Sequence, residues 1–318
     1  MEFLNLGSYE ISGNGVNKFN LGLPPKNSSK NKYLTALLLW VEMQGTTTGD
    51  GITKKQFLNE TAKLINLYVN NKMVVDNMDC ESLNRLCVFL NGYVFPDYQT
   101  PYVSGTGTPY TKTMLIEIPF SFGLMVDRYD FCKNISDISS ISLEYQKGNV
   151  DGLSKMIVKA VAVIEEREGI YKVPDIKIKK YTISKTISDN INISNRILAM
   201  IWQMPASGNI DDNVLIRSND RIILDNLPLR ELNTMISYPY IIDDLMLSDL
   251  NYIYVAIPNQ IPLSIKKPLF YERDNLFYDD LALYNSPFNI IQVEVLPNES
   301  IGEGQNILET RFSPVKVM

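Results

Sequence analysis

The chain carries the same pattern twice, and this repeat constrains its fold more than any other feature. Residues 72–84 (KMVVDNMDCESLN) and residues 221–233 (RIILDNLPLRELN) share four identical residues, and five further positions hold similar ones. In each copy a short apolar segment, typical of a strand, is followed by a polar stop and the start of a helix. A repeat unit of this length is a whole domain rather than one turn of a solenoid. The sequence therefore predicts one domain fold built twice.

Three shorter matches occur in the same order along the chain. They pair residues 38–40 with 200–202, residues 116–119 with 255–258, and residues 141–145 with 291–295. The first pair contains Trp40 and Trp202, the only two tryptophans of the chain. All four matches keep their order, and loop insertions account for the drift in spacing. We therefore infer a duplication.

Short apolar segments separated by proline and glycine turns dominate the sequence, without the regular strand–helix alternation of a parallel sheet. This pattern predicts an all-β protein of two tandem eight-stranded jelly rolls, each with a short helix after its strand hairpin. Residues 1–150 are assigned to the N-terminal jelly roll, residues 151–171 to a linker and residues 172–318 to the C-terminal jelly roll. The apolar stripe of residues 153–164 predicts a helix within that linker.

Two local signals define the hairpin and the helix of the first copy. Asn70-Asn71 is a typical two-residue hairpin turn, and it precedes a short strand at residues 73–75. The helix is predicted over residues 79–91, with Asn77 or Asp79 as its N-terminal cap. Its buried stripe is formed by Leu83, Leu86, Cys87 and Leu90. The second copy repeats this stripe after residue 228.

Composition bears on function mainly through the classes it excludes. The formal net charge of −6 argues against binding to nucleic acid, which needs a basic surface. The chain holds no histidine, so the commonest general base and zinc ligand is missing. We predict a protein that is not an enzyme and has no catalytic or cofactor-binding residue.

The cysteines and the apolar segments bear on location. The three cysteines, which lack metal-ligand spacing, are predicted to be small core residues of a protein that folds in a reducing cytoplasm: Cys80, Cys87 and Cys132. The start of the sequence does not resemble a signal peptide, and no apolar run is long enough to span a bilayer. We therefore expect a soluble chain.

Two pairs of adjacent aspartates are weak candidates for structural calcium bound between subunits: Asp243, Asp244, Asp279 and Asp280. Carboxylate oxygens are typical calcium ligands, but adjacent acids are more common in solvated turns, and that interpretation is the alternative. The segment at residues 105–108 (GTGT) lacks the spacing of a dinucleotide-binding loop. It is predicted to be an ordinary loop.

A tyrosine-rich loop and a lysine cluster are the candidate contact surfaces. The loop at residues 92–112 is long for a simple connection, and tyrosine favours protein interfaces. Its interface candidates are Tyr93, Tyr98, Tyr102 and Tyr110, with packing against their own barrel as the alternative. The membrane-facing candidates are Lys177, Lys179, Lys180 and Lys185, with a solvated strand face as the alternative. We expect this cluster to lie on the basal side of an assembled shell.

Several segments of the first copy resemble a known family. They are the opening Phe3-Leu4-Asn5-Leu6 before a Gly/Asn-rich stretch, the strand at residues 63–69, the turn at residues 70–72, the strand at residues 73–75 and the helix that holds Leu83-Asn84. This order is similar to that of corticovirus-type major capsid proteins, which belong to the double jelly-roll lineage of tailless icosahedral phages with an internal membrane. The Asn/Ile/Lys-rich composition also resembles that of the Flavobacterium-infecting lipid-containing phage type.

The resemblance implies a structural role. A major capsid protein of this lineage forms a homotrimeric, pseudo-hexameric capsomer, and many capsomers build an icosahedral shell around a lipid membrane. The implied partners are other copies of the chain, minor capsid, penton and membrane proteins, and the internal membrane. The implied location is the virion capsid, and the resemblance implies no sequence-specific contact with nucleic acid and no cofactor.

Two other classes of function fit an all-β duplicated chain. A receptor-binding spike or adhesin of tandem β-sandwiches would expose aromatic loops at one tip and would not form a two-dimensional lattice. A carbohydrate-active β-sandwich enzyme would need two carboxylates about 5–10 Å apart in a cleft. Substitution of the aspartate pairs by alanine, with activity measured on a panel of sugars, separates the enzyme from the other classes.

Overall fold

The structure, a computed structural model, divides the chain into two compact units, Met1–Val173 and Pro174–Met318. The residues that it describes are 1–25, 31–91, 102–122, 129–130, 132–166, 176–183, 189–191, 196–205, 213–218, 221–228, 252–258, 278–281 and 288–295. Each unit is built mainly of antiparallel strands.

The described part of the first unit contains thirteen strands, two α-helices and one 3-10 turn. The strands are β1 (Glu2–Glu10), β2 (Asn17–Asn20), β3 (Lys32–Thr46), β4 (Gly51–Ile52), β5 (Leu64–Val69), β6 (Lys72–Met78), β7 (Val103–Ser104), β8 (Pro109–Pro119), β9 (Ser121–Phe122), β10 (Tyr129–Asp130), β11 (Lys133–Asn134), β12 (Ile141–Gln146) and β13 (Leu153–Glu166). The helices are α1 (Lys54–Thr61) and α2 (Cys80–Asn91), and the 3-10 turn is Ile135–Asp137.

Eight of these strands form two four-stranded sheets. The first sheet has the order β1-β13-β3-β8, and the short β11 also pairs with β3. The second sheet has the order β2-β12-β5-β6. Numbered along the chain, the eight strands thus lie in the orders 1-8-3-6 and 2-7-4-5, which is the strand order of a jelly roll.

The second unit repeats this arrangement in its described residues. Its strands are β14 (Ile176–Ile183), β15 (Asp189–Ile191), β16 (Arg196–Pro205), β17 (Asn213–Ser218), β18 (Arg221–Pro228), β19 (Tyr252–Pro258), β20 (Tyr278–Leu281) and β21 (Phe288–Val295). One sheet has the order β14-β21-β16-β19, which corresponds to the first sheet of the first unit. The pairs β15-β20 and β17-β18 correspond to the other sheet, and β20 lies next to β17. The predicted fold class, two tandem jelly rolls, is confirmed.

Three of the four sequence matches lie on equivalent strands. Residues 72–78 and 221–227 lie on β6 and β18, the second strands of equivalent hairpins. The tryptophan segments, residues 38–40 and 200–202, lie on β3 and β16. Residues 116–119 and 255–258 lie on β8 and β19. The match of residues 141–145 with 291–295 is wrong as an equivalence. It joins β12 of the second sheet to β21, whose counterpart in the first unit is β13.

The hairpin turn and the helix cap of the first unit follow the sequence prediction. Asn70 and Asn71 have φ angles of 53° and 62°, as a type I′ turn requires. The Ser82 backbone N–H donates to Asp79 Oδ1 at 2.6 Å, so Asp79 caps α2. The helix α1, which was not predicted, begins with a capping box between Thr53 and Gln56. The helix predicted after residue 228 lies outside the described residues.

The helix predicted within residues 151–171 is wrong. Residues Leu153–Glu166 form β13, which pairs with β1 on one side and with β3 on the other. This strand completes the first jelly roll, so the span assigned to a linker contains one of its central strands. The division between the units lies at Val173 and Pro174.

The core of the first unit lies between its two sheets. Leu39, Val41 and Met43 of β3 are fully buried, and so are Leu143 and Tyr145 of β12. The Tyr145 hydroxyl is satisfied inside this core, where it donates to the backbone oxygen of Thr61 at 2.5 Å.

The predicted core position of the three cysteines is confirmed, because Cys80, Cys87 and Cys132 are buried free thiols. Burial raises the pKa of the Cys80 and Cys87 thiols well above the usual value of 9.0. Of the helices in the described residues, none is long and apolar enough to cross a membrane.

Candidate assembly surface

The first sheet turns one face to the core and the other face to solvent. Along β3 the side chains alternate, so that Leu39 and Val41 are fully buried and Trp40 between them is 45% exposed. Such an exposure is unusual for the largest apolar side chain, because tryptophan buries a large area when it has a partner.

Trp40 lies at the centre of an apolar group on this outer face. In the strand register Trp40 is directly opposite Leu115 of β8 and Lys159 of β13. Leu38, two residues earlier on β3, is directly opposite Val161 of β13. Residues opposite each other in antiparallel strands share a face of the sheet. We name the group Leu38, Trp40, Leu115 and Val161 the outer patch.

One ion pair borders the outer patch, and Glu117 of β8 lies directly opposite Leu38 on the same face. Lys159 Nζ lies 2.9 Å from Glu42 Oε1, and the two residues belong to the neighbouring strands β13 and β3. In the sequence, Trp40 stands out only as one of the two tryptophans of the repeat. The signal that identifies it as a surface residue is the strand period of two, since Leu37, Leu39 and Val41 form the buried set.

The tyrosine candidates differ in their positions. Tyr102 is 61% exposed, and the ammonium of Lys112 lies 6.0 Å from its ring centroid. Tyr110 is buried against its own barrel, with its ring edge-on to Phe57 at 6.1 Å. Its hydroxyl donates to the Asp151 backbone oxygen at 2.8 Å, and burial raises its pKa to about 12.

The interface assignment of Tyr110 is therefore corrected to the alternative of internal packing, because a buried ring offers no area to a partner. Tyr93 and Tyr98 lie outside the described residues.

The loops around Asp151 are held together by internal hydrogen bonds. The Asp151 carboxylate accepts from the backbone N–H groups of Thr48 at 2.8 Å and Gly49 at 3.1 Å, and also from the Thr48 hydroxyl. These hydrogen bonds lower the pKa of Asp151 below its usual range, and the bond from the Thr48 hydroxyl has the largest effect. In the adjoining glycine–threonine loop, the backbone N–H groups of Gly105 and Gly107 donate to Asp50 and Thr47. Because these donors are used internally, the loop is an ordinary turn.

The lysine candidates do not share one face. Lys177 and Lys179 lie on one face of β14, while Lys180 lies on the other face with Ile178, which is 1% exposed. Lys185 lies outside the described residues.

The aspartate candidates are similarly divided. Asp279 and Asp280 lie on β20 rather than in a turn, so these consecutive residues are on opposite faces of a strand. Asp243 and Asp244 are not among the described residues. Within the described part of the chain, no group of three or more His, Cys, Asp or Glu side chains is arranged to hold a metal ion.

Comparisons of sequence find no relative, because no protein-family model and no curated protein matches the chain. Comparisons of structure find double jelly-roll major capsid proteins. The major capsid protein of STIV is similar with a TM-score of 0.61 and 10% identity, over 92% of this chain and 95% of that one.

Two further solved structures are similar at the same level. The major capsid protein P2 from bacteriophage PM2 has a TM-score of 0.53 and 11% identity, over 94% of this chain and 99% of that one. PBCV-1 VP54 has a TM-score of 0.54 and 10% identity, over 92% of both chains. These similarities cover both units and agree with the strand orders derived above.

Proposed function

We propose that this chain, which has the double jelly-roll fold, is the major capsid protein of a tailless icosahedral virus. The observation that carries the proposal is the presence of two eight-stranded jelly rolls with the same strand order in one chain. Solved structures of similar fold are major capsid proteins, and their likeness extends over more than nine tenths of this chain.

The duplication suits a trimeric capsomer. Three chains related by a closed three-fold axis present six similar jelly rolls, two from each chain. Such a pseudo-hexamer fits a hexagonal lattice position, and a shell of these capsomers is icosahedral when pentameric proteins fill the vertices. Rigid sheets supply the mechanical strength, so that a catalytic site has no part in this role.

We also propose that the shell encloses a lipid membrane and that Lys177 and Lys179 face it. Both residues lie on the same face of β14, and a row of ammonium groups attracts anionic headgroups. The other partners are neighbouring capsomers, minor capsid and penton proteins, and proteins of the membrane. The protein folds in the host cytoplasm and is located in the virion.

Sedimentation of the purified chain tests the trimer. A single chain has a mass of 36.2 kDa, and a trimer has a mass of about 109 kDa. We expect the trimer at micromolar concentration, and hexagonal arrays of it in electron micrographs at high protein concentration. A monomer that forms no array would contradict the proposal and would favour a spike or adhesin.

Vesicle flotation tests the lipid contact. We expect the wild-type chain to float with vesicles of phosphatidylcholine and phosphatidylglycerol, and the double variant Lys177→Glu, Lys179→Glu to remain in the soluble fraction. Lys155→Glu is the matched control, because Lys155 is an exposed lysine of the first unit. Equal flotation of all three proteins would refute the membrane-facing role of these lysines.

A further inference from the structure

We propose that Asn14 is a site of spontaneous deamidation, in which the backbone nitrogen of Gly15 displaces the side-chain amide and Lys147 promotes the displacement. This chemistry is separate from the capsid role and does not depend on it. Three features of the loop between β1 and β2 support it: the sequence of the loop, its exposure and the contacts of the Asn14 side chain.

The dipeptide Asn14-Gly15 has the residue types that the reaction needs. The side-chain carbonyl carbon of asparagine is an electrophile, and the backbone nitrogen of the next residue is held close enough to close a five-membered ring on it. A side chain on that next residue hinders ring closure, and glycine has none. The chain contains one other Asn-Gly pair, Asn91-Gly92, whose glycine lies outside the described residues.

The loop around this dipeptide leaves room for the ring to form. Residues 13–16 are exposed, and they lie between the end of β1 and the start of β2. A Cβ added to Gly15 would meet nothing within 4 Å, so the space around this glycine is open. Water therefore reaches the loop, and the backbone at Gly15 has room to rotate towards the Asn14 side chain.

The contacts of the Asn14 side chain prepare its amide for attack. The Lys147 ammonium donates to Asn14 Oδ1 at 2.6 Å, and Asn14 Nδ2 donates to Asn149 Oδ1 at 3.2 Å. An ammonium only donates, so this contact identifies the oxygen end of the amide. Negative charge develops on that oxygen when the carbonyl carbon is attacked, and a cationic donor already in place stabilises it. Lys147 therefore lowers the barrier to the displacement.

The backbone holds Asn14 and Lys147 together. Lys147 directly follows β12, and Gln146, the last residue of that strand, donates from its side-chain Nε2 to the Asn14 backbone oxygen at 2.9 Å. The electrophile is thus anchored to the end of a strand, while the nucleophile belongs to an open loop. This combination favours reaction at Asn14 over other exposed asparagines.

The reaction needs water and no other reagent. The Gly15 nitrogen gives its proton to solvent and attacks Asn14 Cγ, so that an N–C bond forms and the Cγ–Nδ2 bond breaks. The amide nitrogen takes up a proton from solvent and leaves as ammonia. Water then opens the succinimide ring at either of its carbonyls and gives aspartate or isoaspartate. The formal net charge of −6 becomes one unit more negative, and the new carboxylate lies beside the Lys147 ammonium.

Peptide mapping of the purified chain by mass spectrometry tests the site. After incubation at mildly alkaline pH, we expect the tryptic peptide of residues 1–18 to become heavier by about one dalton at Asn14 and to separate into an aspartate and an isoaspartate form. Asn149 is the internal control, because it is exposed in the facing loop but is followed by Val150. Equal conversion of Asn14 and Asn149 would overturn the proposal.

Two variants test the roles of Gly15 and Lys147. We expect Gly15→Ala to slow the conversion about tenfold, and the added Cβ has space, so the fold is kept. We expect Lys147→Gln to slow it about tenfold as well, because the charge that faces Asn14 Oδ1 is removed. The matched control is Lys72→Gln, since Lys72 is an exposed lysine at the hairpin turn, at the opposite end of β5 from the partner of Gln146. Thermal melting establishes that the variants fold.

Two results would contradict the mechanism. Conversion of Lys147→Gln at the wild-type rate would refute the promotion by Lys147. A lasting loss of ammonia, with residues 14 and 147 recovered in one cross-linked peptide, would show that the lysine attacks the amide and would refute the role of Gly15. The assay follows single peptides of the chain, so neither result bears on whether the chain forms a capsomer.

Discussion

Lys133 provides a measurable link between burial and stability. It lies on β11, in register with Leu34 of β3, and is only partly accessible to solvent. Burial, followed by repulsion from Lys72, lowers its pKa from 10.5 to about 8, and Asp137 only partly opposes this change. Replacing Lys133 by methionine keeps most of the side-chain volume and removes the charge.

The sign of the pH effect follows from the two pKa values. Below pH 8 the lysine is protonated in both the folded and the unfolded chain, so the full cost of burying the charge is present. Between pH 8 and 10.5 the unfolded chain keeps a proton that the folded chain has lost, so stability rises with pH. The difference between the two pKa values corresponds to a change of about 3 kcal/mol in the free energy of unfolding, and to about 2 kcal/mol once the partial exposure of Lys133 is allowed for.

Denaturation by urea at several pH values measures this effect. We expect the difference in unfolding free energy between Lys133→Met and the wild type to fall by about 1 kcal/mol per pH unit above pH 8. The buried thiols of Cys80 and Cys87, whose pKa values are raised, lower the stability of both proteins above about pH 9, and this contribution cancels. Lys133→Arg is the control, because arginine keeps its charge throughout. A difference that does not change between pH 7 and 10 would refute the reasoning.

Three further predictions concern the first unit. Gly152→Ala should lower the free energy of unfolding by at least about 3 kcal/mol in urea, because its φ is +62° and an added Cβ would collide with the backbone oxygen of Thr46. Gly13→Ala is the matched control for this variant, and it should lose only about 1–2 kcal/mol because Gly13 has a φ of +67° but nothing within 4 Å of an added Cβ. Asp151→Asn should lower the melting temperature at pH 7. The loss should shrink as the pH falls through the depressed pKa of this carboxylate, since the stability from the Thr48 bonds is present only above it. Tyr145→Phe should cost about 1–2 kcal/mol in urea, because it leaves a buried carbonyl without its donor.

The hairpin and the helix of the first unit could be predicted because short-range chemistry determines them. The Asn70-Asn71 pair tolerates positive φ at both positions, which few other dipeptides do. Asp79 caps a segment whose apolar residues repeat at the helical period, and Leu83, Leu86 and Cys87 are fully buried as that period requires. The duplication could also be predicted, because the same local signals recur on β18.

The strand β13 could not be predicted from its apolar period. Its residues are almost continuously apolar from Met156 to Ile164, and such a run satisfies a helical stripe and a strand alternation equally well. Its pairing with β1 and β3 decides the outcome, and this pairing joins residues that are distant in sequence. In β1 the pairing register shifts between Asn5 and Gly7. This shift interrupts the alternation of apolar and polar residues by which a strand is recognised in a sequence.

The outer patch shows the limit of sequence reasoning about a surface. The sequence singles out Trp40 and Trp202 as a matched pair, but it does not distinguish an inner face from an outer face. That distinction depends on which side of β3 meets the second sheet. Tyr110 shows the converse, because an aromatic residue in a loop-like sequence is buried against Phe57 at the end of the barrel.

The pairing of β1 with β13 has a consequence for synthesis of the protein. Glu2 is in register with Ile164, so the first strand waits for a partner that the ribosome makes 162 residues later. At about 5–20 residues per second this wait lasts about 8–30 s. During that time a nascent chain exposes an open strand edge, the kind of edge that joins other chains. We therefore expect cellular chaperones to hold the emerging chain until β13, the last strand of the first unit, has been made.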